Sequence, residues 1–197
     1  MSIIVAVTKG KHTVVAADTI CFCGGQREHP DNIIQSKIRR IGSSLVGASG
    51  WMLYDNLLDH YLHRRRAPSL KDEHAIFDFF LRFWKALGDD YNLVNEQPRK
   101  DAEGPFGDLD ANFLIANRSG VFGVDSNLTV VRFKKYYAIG SGAAYAFGAL
   151  EVLYDTEPDA ARIARRAVET AVHFDEGCGG EPELYEVRVG ARVSKRR

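Results

Sequence analysis

Two hydrophobic periods alternate along the 197 residues of this chain. Ile3 to Val7 and Val14 to Ala17 are short β-rich apolar runs on either side of the polar stretch Thr8 to His12, which contains Gly10. That pattern predicts a hairpin with strands over about 2–8 and 12–18. Cys21 to Gly25 predicts a third short strand, and the polar, Pro- and Gly-containing stretch 24–32 predicts a loop. Residues 37–42 and 43–49 predict a second hairpin turning at Gly42-Ser43. The period then changes. Leu53, Leu57, Leu58 and Leu62 recur at helical spacing. Ser69, followed three residues later by Asp72, predicts a capped start for a helix carrying Ala75, Ile76, Phe79, Phe80, Phe83, Trp84 and Leu87 on one stripe. Residues 95–108 are polar and predict a loop.

Strand patterns return over 111–117, 120–125, 128–133 and 136–140. A stretch from Gly142 with Ala143, Ala144, Ala146, Phe147, Ala149, Leu150 and Leu153 is apolar nearly all round, which predicts a buried, tightly packed helix. Thr156, with Pro158 behind it, predicts the cap and first turn of a further helix striped by Ala160, Ile163, Ala164, Ala167, Val168 and Ala171. The run 177–180, Gly-Cys-Gly-Gly, stops it, and 183–189 predicts a last strand. Residues 190–197 are expected to form a solvated tail.

The order is strands, two helices, strands, two helices, strand. Hairpins in both strand blocks imply mostly antiparallel sheets, and four helices with apolar faces need sheet surfaces to cover. The expected fold class is α+β: a four-layer αββα sandwich in a single domain over 1–197. The length supports one domain with a sizeable core. A formal net charge of zero gives no global attraction to nucleic acid or acidic lipid. No apolar run approaches the roughly 20 residues of a membrane span, and the first residues do not form a secretion signal. Three cysteines, an odd count, suit a reducing cytoplasm better than a disulfide framework.

Ser2 is the first candidate for chemistry. Removal of Met1 would place a hydroxyl and a free α-amine on one residue, and that amine has a reference pKa of about 7.7–8.0. A nucleophile activated by its own terminal amine is an established arrangement. Taken alone, Asp18 is equally a strand-end turn residue and Lys37 one cation of a basic stretch with Arg39 and Arg40. Gly47 eases a strand bend or lets backbone approach closely. Ser141 is a helix cap. Cys21 and Cys23 share a strand face, but no nearby His or Cys pair completes a four-ligand metal site, so buried strand cysteines are expected. No other metal pattern is present, and no organic cofactor motif.

The segments 2–19, 35–42, 44–50, 136–153 and 173–180, in this order and at this spacing, together resemble the proteasome β-subunit family, which includes the bacterial heat-shock peptidase that forms double rings with an ATPase. The resemblance spans about residues 2–189. It implies the N-terminal-nucleophile hydrolase fold, in agreement with the element order above. It also implies a peptidase without metal or cofactor, acting through an acyl-enzyme.

In this family the mature chain normally begins with Thr; Ser2 takes that place here, keeping the hydroxyl without the methyl. The resemblance makes Asp18 the acid beside the nucleophile, Lys37 the cation that lowers its pKa, and the Gly47 N–H the oxyanion donor. Ser141, Asp175 and Cys178 become the groups around the terminal amine, Cys178 replacing a family Ser. Cys21, Gln35, Leu45, Ser49 and Leu53 become the lining of the primary specificity pocket. The implied partners are a peptide or unfolded-protein substrate, further copies of the chain in a ring or double ring, and an ATP-dependent unfoldase. Two alternatives stay open: a catalytically inactive ring scaffold, which retention of Met1 would favour, and a small-substrate amidase on the same fold.

Overall fold

The structure, a computed structural model, describes residues 2–63, 65–91, 109–188 and 194–196. The first hairpin consists of β1 (Ile4–Lys9) and β2 (His12–Ala17), and a small second one of β3 (Cys21–Cys23) and β4 (Gln26–Glu28). β5 (Ile38–Ile41) and β6 (Ser44–Gly50) lead into helices α1 (Leu53–Leu62) and α2 (Glu73–Asp89). Four strands follow, β7 (Ala111–Asn117), β8 (Gly120–Val124), β9 (Val130–Phe133) and β10 (Tyr136–Ile139). Then come α3 (Ala143–Thr156), α4 (Ala160–Phe174), β11 (Glu183–Arg188) and β12 (Ser194–Arg196).

Two five-stranded antiparallel sheets result, in the orders β10-β1-β2-β11-β12 and β5-β6-β7-β8-β9. Their inner faces meet through Ile4, Ala6, Val15 and Ala17 on one side and Ile38, Leu45, Leu114, Ala116 and Val121 on the other. The outer face of the first sheet, with Ile3, Val5, Val7, Val14 and Ala16, is covered by α3 and α4. The outer face of the second, with Val46, Phe113, Ile115 and Phe122, is covered by α1 and α2. The expected four-layer αββα sandwich is the fold. β1 and β2 lie between a helix layer and the other sheet, so neither face meets water. That is why their sequences are continuous apolar runs rather than alternating ones.

The structure corrects several local expectations. Residues 26–28, expected in a loop, form β4, and Gly24 and Gly25 make the tight turn before it with φ of 60° and 83°. The cap of α2 is Asp72, whose carboxylate accepts from Ala75 N–H at 2.9 Å, not Ser69. The cap of α4 is Asp159, which accepts from Ala161 N–H, and Thr156 belongs to the end of α3. In both cases the residue immediately ahead of the first helical turn is an aspartate, and a carboxylate caps as well as a hydroxyl. Residues 194–196, expected in the tail, pair with β11 as an edge strand. α3 buries only Ala146 and Leu150 completely; Tyr145, Phe147 and Val152 face outward. The predicted loop over 95–108 lies outside the described residues.

Phe80 sits among Phe79, Phe83 and Phe113 and is wholly buried between α2 and β7. Phe80→Ala is expected to lower the unfolding free energy by about 3–5 kcal/mol, measured by urea denaturation.

Candidate active site

The site is built where the first strand begins. Asp18 directly follows β2, and the β1–β2 register sets it opposite Ile3. Its main-chain N–H donates to Ile3 C=O at 3.1 Å, and Ile3 N–H donates to Asp18 Oδ1 at 2.9 Å. Lys37 Nζ donates to the same oxygen at 2.7 Å, and Gly179 N–H to Oδ2 at 3.0 Å. The Asp18 side chain is entirely buried, so this carboxylate depends on these donors in place of water. Lys37 is itself steadied from behind: its N–H donates to Glu183 Oε1 at 3.2 Å, and Ser36 Oγ donates to the same atom at 2.5 Å.

On the opposite side of the chain start lies the turn between β10 and α3. Ser2 N–H donates to Ser141 Oγ at 3.3 Å, and Gly142 N–H donates to Ser2 C=O at 3.3 Å. Gly140 has φ of 110°, and a Cβ there would stand 2.1 Å from Ser2 O. Only glycine permits that approach. Asp175, in the segment after α4, accepts from Gly177 N–H at Oδ1 at 2.8 Å and from Cys178 Sγ at Oδ2 at 3.6 Å. Burial works to raise the Asp175 pKa but is outweighed by the hydrogen bonds from Gly177, Ser141 and Cys178, so the carboxyl titrates below its ordinary value. The Cys178 thiol moves the other way. Burial, then the Asp18 and Asp175 carboxylates, push it up to about 12. It is therefore protonated at neutral pH and serves as a weak donor.

Ser2, Asp18, Lys37, Ser141, Asp175 and Cys178 are thus gathered around the start of β1, with hydrogen bonds between Ser2 and Ser141, between Lys37 and Asp18, and between Cys178 and Asp175. Gly47 does not join them in the expected way. The two-residue turn Gly42-Ser43 closes on the pair Ile41↔Ser44, which such a turn makes a hydrogen-bonded pair. Alternation then points the main-chain groups of Ser44, Val46 and Ala48 toward β5, and those of Leu45, Gly47 and Ser49 toward β7. Trp51 N–H donating to Asp110 C=O at 3.2 Å, in the same β6–β7 register, agrees with this phase. The Gly47 N–H is therefore committed to the ladder opposite Leu114. Gly47 is glycine for a different reason: a Cβ would stand 2.8 Å from Ile4 Cγ2 across the inter-sheet core. By the same alternation the N–H groups of Ala48 and Gly50 face the β5 side beyond the last paired position Ile38↔Gly47, Ala48 being the nearer to it.

The same parity corrects part of the expected pocket lining. Leu45 is buried in the inter-sheet core, away from α1, while its neighbour Val46 faces α1. Ser49 is buried near Gly140, its Oγ 3.1 Å from where a Cβ on that glycine would stand. Gln35 is exposed and Leu53 packs partly against the α1–α2 core. Cys21 is half-buried and Cys23 exposed, so the expected buried pair is not found. Sequence reasoning also missed Gly140, Gly179 and Glu183, which contact Ser2, Asp18 and Lys37. Of these, only Gly140, between a strand and a helix, carried a visible signal. A separate cavity of about 570 Å³, lined by Lys11, Asn117, Arg118, Arg132 and Lys134 among others, opens beside the turns at the far ends of β1 and β7.

No family model matches the chain. Over 86 residues, 42% of this chain and 44% of the other, it is 30% identical to a curated relative described as "Proteasome subunit beta" from Nanoarchaeum equitans (strain Kin4-M). That match therefore spans less than half the length of the relative. The structure of Thiobacillus denitrificans BPH is similar at a TM-score of 0.85 and 30% identity, covering 95% of this chain and 98% of that one. The same protein in complex with epoxomicin aligns at a TM-score of 0.84 and 29% identity over 96% of this chain and 100% of that one. Eukaryotic HslV from Trypanosoma brucei shares the fold at a TM-score of 0.60 and 21% identity, over 95% of this chain and 99% of that one.

Two outcomes follow from the geometry. Lys37→Met leaves the buried Asp18 carboxylate without its cation and is expected to cost about 3–5 kcal/mol in urea denaturation, with Asp18→Asn/Lys37→Met costing less than the sum of the single changes. Alkylation of the native protein near pH 8 is expected to label Cys23 first and to spare Cys178 until unfolding, read by peptide mass spectrometry.

Proposed function

Because the chain belongs to the proteasome β-subunit-type N-terminal-nucleophile hydrolases, we propose that it is a peptidase whose nucleophile is Ser2, exposed as the terminal residue once Met1 is removed. One observation carries this reading. A wholly buried carboxylate binds both the main-chain N–H next to Ser2 and the Lys37 ammonium, at 2.9 and 2.7 Å. A fold needing only stability gains little from such a pair, since desolvation offsets most of its attraction. A positive charge held beside a nucleophile favours the anion that forms there.

In the proposed reaction Ser2 Oγ attacks the scissile carbonyl carbon, and its proton passes to the Ser2 α-amine, directly or through a water. The tetrahedral oxyanion is held by a main-chain N–H. We assign this to Ala48 in place of Gly47, because only the former faces the open side of β6; one such donor is typically worth about 3–4 kcal/mol. Collapse breaks the C–N bond, the leaving amine takes the proton, and an ester on Ser2 remains. Water, activated by the same amine, hydrolyses it. Ser141 and the Asp175 carboxylate orient the amine, and Cys178 supplies a weaker bond than a hydroxyl would. No metal or organic cofactor enters.

The substrate is a peptide or unfolded protein, and the working form is a ring or double ring of identical chains in the cytoplasm. The outward face of α3 supports assembly. Tyr145, Gly148 and Val152 lie on one stripe, Phe174 of α4 stacks on Tyr145 at 5.7 Å, and Val152 is 70% exposed. An apolar patch of that kind marks an interface. An unfoldase feeding the ring is part of the same proposal.

Ser2→Ala is expected to abolish cleavage of a fluorogenic peptide, leaving the thermal midpoint unchanged. Epoxomicin is expected to raise that midpoint in the wild type and not in Ser2→Ala. Retained peptidase activity in Ser2→Ala would contradict the mechanism. Light scattering is expected to give a multiple of the 22.0 kDa chain mass, reduced by Val152→Asp with the circular dichroism spectrum unchanged; a monomeric wild type would remove the ring.

A further inference from the structure

The thiols of the β3–β4 hairpin take no part in the bond-making and bond-breaking steps of the proposed hydrolysis. β3 is only Cys21-Phe22-Cys23, and strand alternation puts the two cysteines on one face with Phe22 on the other. The tight Gly24-Gly25 turn and the pairs Cys21↔Glu28 and Cys23↔Gln26 hold that face in place. A third sulfur comes from a different element. Met52, at the start of α1, brings Sδ to 3.4 Å from Cys21 Sγ, with the residue 47% exposed. A metal–sulfur bond of about 2.3 Å allows two ligating sulfurs to stand up to about 4.6 Å apart, so this separation fits one ion between them.

We propose that Cys21, Cys23 and Met52 form a three-sulfur binding site for a soft monovalent cation, Cu(I). The donor set selects the ion. Thiolate and thioether sulfur favour Cu(I), whereas zinc takes four ligands from Cys, His, Asp and Glu. Among the described residues no group of three His, Cys, Asp or Glu is placed to hold a metal. Binding forms two Cu–thiolate bonds and one Cu–thioether bond and releases two thiol protons to solvent. No electron is transferred. The site lies where the start of α1 meets the β3–β4 hairpin, and its existence does not depend on the peptidase reading.

The test is an anaerobic competition titration of the reduced full chain with Cu(I) against a chromophoric Cu(I) chelator, with native mass spectrometry for stoichiometry. One Cu(I) per chain is expected. Cys21→Ser, Cys23→Ser and Met52→Leu are each expected to weaken binding at least about tenfold, while Cys178→Ser leaves it unchanged. The side chains of Cys23 and Met52 are exposed, so those two variants probe the site without emptying a core position. Failure to compete for Cu(I), or affinity untouched by Cys23→Ser or Met52→Leu, would overturn the proposal.

Discussion

The arrangement depends on a single buried carboxylate. Asp18 is removed from water at the point where β2 ends, and each of its partners is a part of the site. Ile3 N–H ties down the chain start, Lys37 Nζ supplies charge, and Gly179 N–H brings in the segment after α4. Removing water from a carboxylate is costly unless several donors replace it. The same requirement that makes the fold satisfy Asp18 therefore gathers three distant segments around Ser2. Stability and chemistry draw on the same bonds.

The sandwich explains why the chain start can be so firmly placed. β1 is central in its sheet, between β10 and β2, and has an apolar layer on each face. Its neighbours come close only where side chains are missing: Gly140 against Ser2 O, Gly142 against Cys178 Sγ and Ile3 Cβ, and Gly47 against Ile4. These glycines position Ser2 by contact. A backbone fixed on all sides is the preorganisation that the proposed nucleophile would require.

Much of this was legible in the sequence, because hairpin turns and amphipathic stripes are local signals. The β1–β2 run, the Gly42-Ser43 turn and the α4 stripe needed only spacing, and the nearness of Ser2, Asp18, Lys37 and Ser141 needed a family pattern as well. Parity along β6 was not legible: a shift of one residue exchanges both its faces and its edges, and with them the surroundings of Gly47 and Leu45. Only the closing pair Ile41↔Ser44 reveals which edge Gly47 uses. The all-round apolar pattern of α3 was equally ambiguous, since period reports that a face must be covered and not whether the cover lies in the same chain. The exposure of Cys21 and Cys23 was hidden for a similar reason: three residues cannot show that their strand belongs to a small hairpin outside both main sheets.

The central claim is that the first residue of the mature chain is the nucleophile. Its most direct measurement is tandem mass spectrometry of an acyl-enzyme trapped by rapid acid quench during turnover of an activated peptide ester. The account predicts an acyl group on Ser2 of a chain that has lost Met1. An acyl group on any other residue, or on a chain that still begins with Met1, would contradict it.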